Sequence, residues 1–122
     1  MSRYEEVMQC ENEMWNSFLK RDRESFLQNV LEEAVMVCGG KRITGREYAD
    51  IIEFVCIDRF EINYPECVYE DDNCIQIHYV VDITVNDKEF QDMAGKFNIT
   101  SGWKKNEETW KLYYNMDSRI IE

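Results

Sequence analysis

KFNITSGWKKNEETWKLYYNMDS, residues Lys96 to Ser118, alternates apolar and polar side chains over two long runs. Successive side chains on a β-strand point to opposite faces, so this stretch reads as an antiparallel hairpin. Phe97, Ile99, Ser101 and Trp103 share one face, and Trp110, Leu112, Tyr114 and Met116 answer from the returning strand. A turn at Lys105–Glu108 sets Trp103 opposite Trp110, Ser101 by Leu112, Ile99 by Tyr114 and Phe97 by Met116. A slip of one residue would exchange the faces. The other side, with Lys96, Asn98, Thr100, Gly102, Lys111, Tyr113, Asn115 and Asp117, is polar.

Upstream, the period of two continues. Phe60, Ile62, Tyr64 and Val68 form one apolar row, and Ile75, Ile77, Tyr79, Val81, Ile83 and Val85 a second. Turns at Asp71-Asp72 and Asn86–Lys88 pair Phe60 with Ile83, Tyr64 with Tyr79, Ile77 with Phe97 and Ile75 with Ile99. The N-terminal part has a helical period instead. Residues from Arg3 to about Arg21 place Tyr4, Val7, Met8, Cys10, Met14, Trp15, Phe18 and Leu19 on one arc. Asp22 suits the cap of a second helix, and Thr44-Gly-Arg-Glu47 has the capping-box form that opens a third. Between them lie a short strand at Ala34–Cys38, a Gly39-Gly40 turn and a return at Lys41–Ile43. The expectation is one α+β domain over residues 1–122. Three N-terminal helices cover one face of a mostly antiparallel six-stranded sheet.

Composition narrows the functions. The formal net charge is −11, with 25 acids against 14 Lys plus Arg, and this field repels phosphate backbones and anionic membranes. Nucleic acid and membrane are therefore excluded as expected partners. The first residues carry acids rather than an apolar run, and no stretch approaches the ~20 apolar residues of a membrane helix, so a cytoplasmic setting is expected. Five cysteines without a Cys-x-x-Cys pair read as reduced thiols. One histidine and scattered acids supply no metal site, and no phosphate loop or cofactor motif is present.

The element order, the Trp15…Asp22 spacing, Thr44-Gly-Arg-Glu47 and Ile99-Thr100…Trp103…Trp110…Ser118 together resemble the SnoaL-like branch of the nuclear-transport-factor-2-like superfamily. They are also similar to the association-domain group of calcium/calmodulin-dependent kinase. The resemblance implies a cone whose concave face encloses an apolar pocket, and a homodimer formed through the outer sheet face. Some members are isomerases, cyclases, dehydratases or hydrolases, and others only bind or assemble.

On these registers the pocket is walled by Trp15, Tyr48, Tyr64, Tyr79, Phe97, Trp103 and Tyr114. Two carboxylates interrupt its apolar lining. Glu66 falls on the inner face opposite Ile77, and Glu11 lies within the apolar arc of the first helix. Desolvation disfavours the charge of such acids and lifts them toward general acid–base values, which nominates Glu66 and Glu11 as catalytic residues beside a tyrosine. Alternatives stay open for both, a bulge at Pro65 that turns Glu66 to solvent, and for Glu11 a place at the open end of the helix or a pairing with an arginine such as Arg42 or Arg59. His78, the single histidine, falls on the outer face. The first reading is thus a domain binding a small apolar or aromatic molecule in the cone. An isomerase or lyase using a pocket carboxylate is the second, and a homo-oligomeric assembly module the third.

Overall fold

The computed structural model describes residues 1–121. Helix α1 (Arg3–Lys20) leads into α2 (Arg23–Asn29), β1 (Val30–Cys38), β2 (Lys41–Thr44) and α3 (Gly45–Ile52). Four long strands follow, β3 (Arg59–Glu70), β4 (Cys74–Thr84), β5 (Gly95–Asn106) and β6 (Thr109–Arg119). The helix starts are locally encoded. Ser2 and Glu5 form a capping box for α1, Asp22 accepts from the Ser25 amide at the head of α2, and Thr44 and Glu47 cap α3 reciprocally. Arg21 in the left-handed region (φ 56) ends α1 and turns the chain directly into α2.

The six strands form one sheet in the order β2-β1-β6-β5-β4-β3. Neighbours are antiparallel except β1 and β6, which run parallel, with Val35 beside Tyr114 and Met36 beside Asn115. The helices pack on the inner face of this open, cone-like α+β fold. Val7, Met14, Trp15, Phe18 and Phe26 there meet Ile75, Ile77, Tyr79, Val81, Ile99, Trp103 and Leu112 in one continuous core.

The strand pairings depart from the expected registers, and parity decides which departures matter. The last hairpin turns at Glu107-Glu108, with Glu107 at φ 61, so Lys105 rather than Trp103 faces Trp110. Residues Lys88–Met93 form a 3₁₀ turn instead of strand, so β5 starts later and Ile77 pairs with Ser101 rather than Phe97. Shifts of two and four residues keep every side chain on its face. Bulges do not. In β6 the pairing passes from Trp103↔Leu112 to Gly102↔Tyr114, leaving Tyr113 as an extra residue. Beyond it Tyr114 and Met116 share the outer face with Gly102 and Thr100, while Asn115 and Asp117 turn inward beside Ser101 and Ile99. In β3 the register breaks between Asn63 and Glu66, at Pro65, and again between Cys67 and Tyr69. Pro65 has no N–H to give the ladder, which explains the first break.

Gly45 sits where α3 meets β1. A methyl group there would overlap the Leu31 carbonyl oxygen and stand 3.0 Å from Val30 Cγ1. Gly45→Ala is expected to destabilise the fold by about 1–3 kcal/mol through overpacking against backbone. Urea denaturation should show it as a lower midpoint with an unchanged slope.

Candidate functional site

The centre of the cone is a buried carboxylate. Glu11, in the middle of α1, is 0% exposed. It accepts hydrogen bonds from the Tyr79 hydroxyl, from Ser101 Oγ at 2.8 Å and from Trp103 Nε1 at 2.7 Å. Trp15 Nε1 donates in turn to the Tyr79 oxygen at 2.6 Å, and Asn115 Nδ2 to Ser101 Oγ at 2.9 Å. Alternation along β4 and β5 aims Tyr79, Ser101 and Trp103 inward, and helical spacing aims Glu11 and Trp15 at them. No cation answers Glu11 among the ion pairs of the described residues. Burial, the larger effect, raises Glu11 above the usual carboxylate range, and the three donated hydrogen bonds pull it partly back.

Beside this network opens a cleft between the helices and the end of β6. Its walls are Met14, Trp15, Phe18, Phe26, Met36, Tyr48 and Ile99, with Asn115 and Asp117 as the polar side. The free volume is about 20 Å³, room for roughly one water. The rings brace one another. Phe26 stacks on Tyr48 with centroids 5.4 Å apart, and Phe18 meets Tyr48 edge-on at 5.8 Å. Asp117 Oδ1 accepts from the Gly39 amide at 3.0 Å. Burial first, and then the Asp117 charge, push the nearby Cys38 thiol up to about 12, so it stays protonated at neutral pH.

The residues nominated from sequence are thus divided. Trp15 and Tyr48 line the cleft, and Glu11, Tyr79 and Trp103 form the packed floor beneath it. Phe97 is buried under the Arg119 guanidinium, 4.6 Å from its ring. Three others lie outside the cone and correct the expected pocket wall. Tyr64, at φ 56 on the β3 bulge, is 83% exposed. Glu66 pairs across the sheet with His78 rather than Ile77, and its carboxylate lies 3.4 Å from His78 Nδ1 in solvent. Tyr114 points outward and donates to Met116 Sδ at 3.3 Å. The Pro65 bulge removed Glu66 and Tyr64, and the Tyr113 bulge removed Tyr114. His78 does sit on the outer face, with Nε2 3.0 Å from Asn98 Oδ1.

Asn115 and Asp117, expected on the outer row, face the cleft instead. One signal could have found them. Gly102 has no side chain because the Tyr113 ring lies across it, where a methyl group would stand 2.6 Å from Tyr113 Cζ. A glycine facing two adjacent tyrosines marks the extra residue.

No protein-family model matches the chain, and no curated protein matches it in sequence. Solved structures do share its shape. A nuclear-transport-factor-2-like protein from Cytophaga hutchinsonii superposes with a TM-score of 0.85 at 12% identity, over 98% of this chain and all of the other. The association domain of calcium/calmodulin-dependent kinase II from C. elegans gives 0.77 at 11% identity, over 93% of each chain. A candidate ketosteroid isomerase from Parabacteroides distasonis gives 0.76 at 18% identity, over 98% of this chain and 89% of the other. At these identities the likeness establishes the fold, which is nuclear-transport-factor-2-like.

Proposed function

We propose, for a chain with this fold, that it binds a small molecule in the cleft at the mouth of the cone. One observation carries the reading. The cleft walled by Trp15, Phe18, Phe26, Met36 and Tyr48 joins an apolar, aromatic surface to two converging polar groups, Asn115 and Asp117. This is the composition of ligand sites generally. The closed cleft holds only about one water, so a larger ligand requires the half-buried Tyr48 ring to be displaced from Phe18 and Phe26. Glu11 then acts from beneath, holding α1 to β4 and β5 and fixing the floor.

Methyl-labelled methionine and isoleucine spectra test this directly, because Met14, Met36 and Ile99 line the cleft while Met116 lies outside. Indole, p-cresol, cyclohexanone and phenylacetate form a suitable panel. At least one is expected to shift Met14, Met36 and Ile99 and to leave Met116 in place. A panel that moves none of the three, or moves only Met116, overturns the reading.

A second reading is self-association through the outer sheet face, supported by the β1–β6 pairing that sets Val35 beside Tyr114 and Val37 beside Met116. It expects a dimer in sedimentation at micromolar concentration, lost in Tyr114→Lys. An isomerase or lyase would instead draw on Glu11 with Tyr79, connected to the cleft through Ser101 and Asn115. For that reading, Glu11→Gln should abolish turnover of a bound substrate while leaving its affinity intact.

A further inference from the structure

We infer that the ligand's polar end is a cation, the protonated head of a small primary amine, held between Asp117 and the Asn115 carbonyl. The inference rests on the cleft being a ligand site and names the chemistry it selects. Its starting point is Glu11, which lies outside the cleft. Both Glu11 oxygens receive donors, and Ser101 Oγ is one of them, at 2.8 Å. A hydroxyl has one proton, so with that proton on the Glu11 carboxylate Ser101 accepts from Asn115, whose Nδ2 lies 2.9 Å away. The amide of Asn115 is thereby oriented. Its NH2 end faces the network and its carbonyl oxygen is the end left for the cleft.

The next inward residue of β6 is Asp117, whose carboxylate accepts from the Gly39 amide and from the Cys38 thiol and, with two oxygens, keeps further acceptor capacity. The polar wall therefore presents a carboxylate and a carbonyl side by side, an arrangement that calls for several N–H donors on one centre. The remaining wall agrees. Trp15, Phe18, Phe26 and Tyr48, stacked largely on one another, supply an uncharged aromatic wall for an alkyl chain, and Met36 adds a polarisable sulfur. Among the described residues no Lys or Arg lines the cleft. Arg119, on the same strand, is held elsewhere, donating to the Ala94 carbonyl at 2.9 Å over the Phe97 ring. The free space near 20 Å³ is the size of an ammonium head, and the alkyl part requires the Tyr48 ring to move aside. A net charge of −11 also draws cations toward the molecule.

Three molecules of nearly equal size separate the possibilities, n-butylammonium, n-butanol and n-butyrate, titrated at fixed ionic strength into the methyl-labelled protein. The expected result is that n-butylammonium shifts Met14, Met36 and Ile99 with about tenfold tighter affinity than n-butanol, as a charge-assisted hydrogen bond supplies, and that n-butyrate shifts none. Asp117→Asn, confirmed as folded by unchanged Met116 and Ile75 signals, should bring n-butylammonium to parity with n-butanol. n-Butanol or n-butyrate binding as well as the amine overturns the inference, as does a preference that survives Asp117→Asn. In either case the cleft itself stands. If none of the three moves the cleft methyls, the inference also fails, and the aromatic panel then shows whether the cleft reading fails with it.

Discussion

Replacing Glu11 by alanine is expected to remove about 3–5 kcal/mol of stability, since each buried donor left without its acceptor costs about 1–3 kcal/mol and the end of the carboxylate's burial offsets part of the sum. The change strands three donors at once, the Tyr79 hydroxyl, Ser101 Oγ and Trp103 Nε1, in a region closed to water. Glu11→Gln should be milder, about 1–3 kcal/mol, because the amide keeps one acceptor oxygen but turns an NH2 against a donor. A pH series on wild type and Glu11→Gln isolates the ionisation. Burial raises the folded-state value of Glu11 above the unfolded one. Its contribution is therefore fully present below the unfolded value near pH 4.3 and declines as pH climbs through the folded value. The stability of wild type relative to Glu11→Gln should fall over that climb, measured by urea midpoints. Glu5, Asp22, Glu47 and Asp71 are held below their ordinary range by hydrogen bonds and lose stability in the opposite direction, on acidification. They are common to both proteins and cancel in the difference. A relative stability that rises with pH would mean that the donors outweigh burial.

Trp103→Ala is expected to cost about 3–5 kcal/mol from lost burial and the cavity together. Trp103 is 0% exposed and is the sole donor to Glu11 Oε1 among the described residues, so truncation also leaves a carboxylate oxygen unpaired in the core. Against a total stability of about 5–15 kcal/mol for a domain of this kind, that loss takes much of the margin. Trp103→Phe retains most of the ring and removes only the N–H, for about 1–3 kcal/mol. The double variant Glu11→Gln with Trp103→Phe should lose less than the sum of the single losses by at least about 0.5 kcal/mol, since the amide NH2 no longer meets a second donor. Additive losses would show that Glu11 and Trp103 do not act on each other.

What could be read from the chain alone followed the range of each interaction. Capping boxes and turns are set by residues three or four apart, so the α3 start at Thr44 and Glu47 was legible. The apolar row from Ile75 to Ile83 was legible because β4 runs without a bulge. Glu11 was legible as an acid on an apolar arc, although its three partners lie on strands more than 60 residues away. The failures cluster where a strand gains a residue. Tyr64, Glu66, Tyr114, Asn115 and Asp117 all follow or straddle such points, and beyond each the alternation is intact but inverted. A periodic pattern does not carry its own phase, which the partner strand supplies.

That inversion gives Tyr113 a meaning beyond its own contacts. In a message written with period two, one inserted letter acts as a frameshift, and everything downstream is translated in the other frame. From Tyr114 onward the strand offers two scripts, one written in ring and thioether, the other in amide and carboxylate. The single letter at 113 selects the second for the mouth of the cone. A relative of this chain that lost that one letter, with every other residue kept, would present Tyr114 and Met116 to its cleft. It would have exchanged the polar wall of its cleft for an apolar one by a deletion, without substituting any residue that lines it.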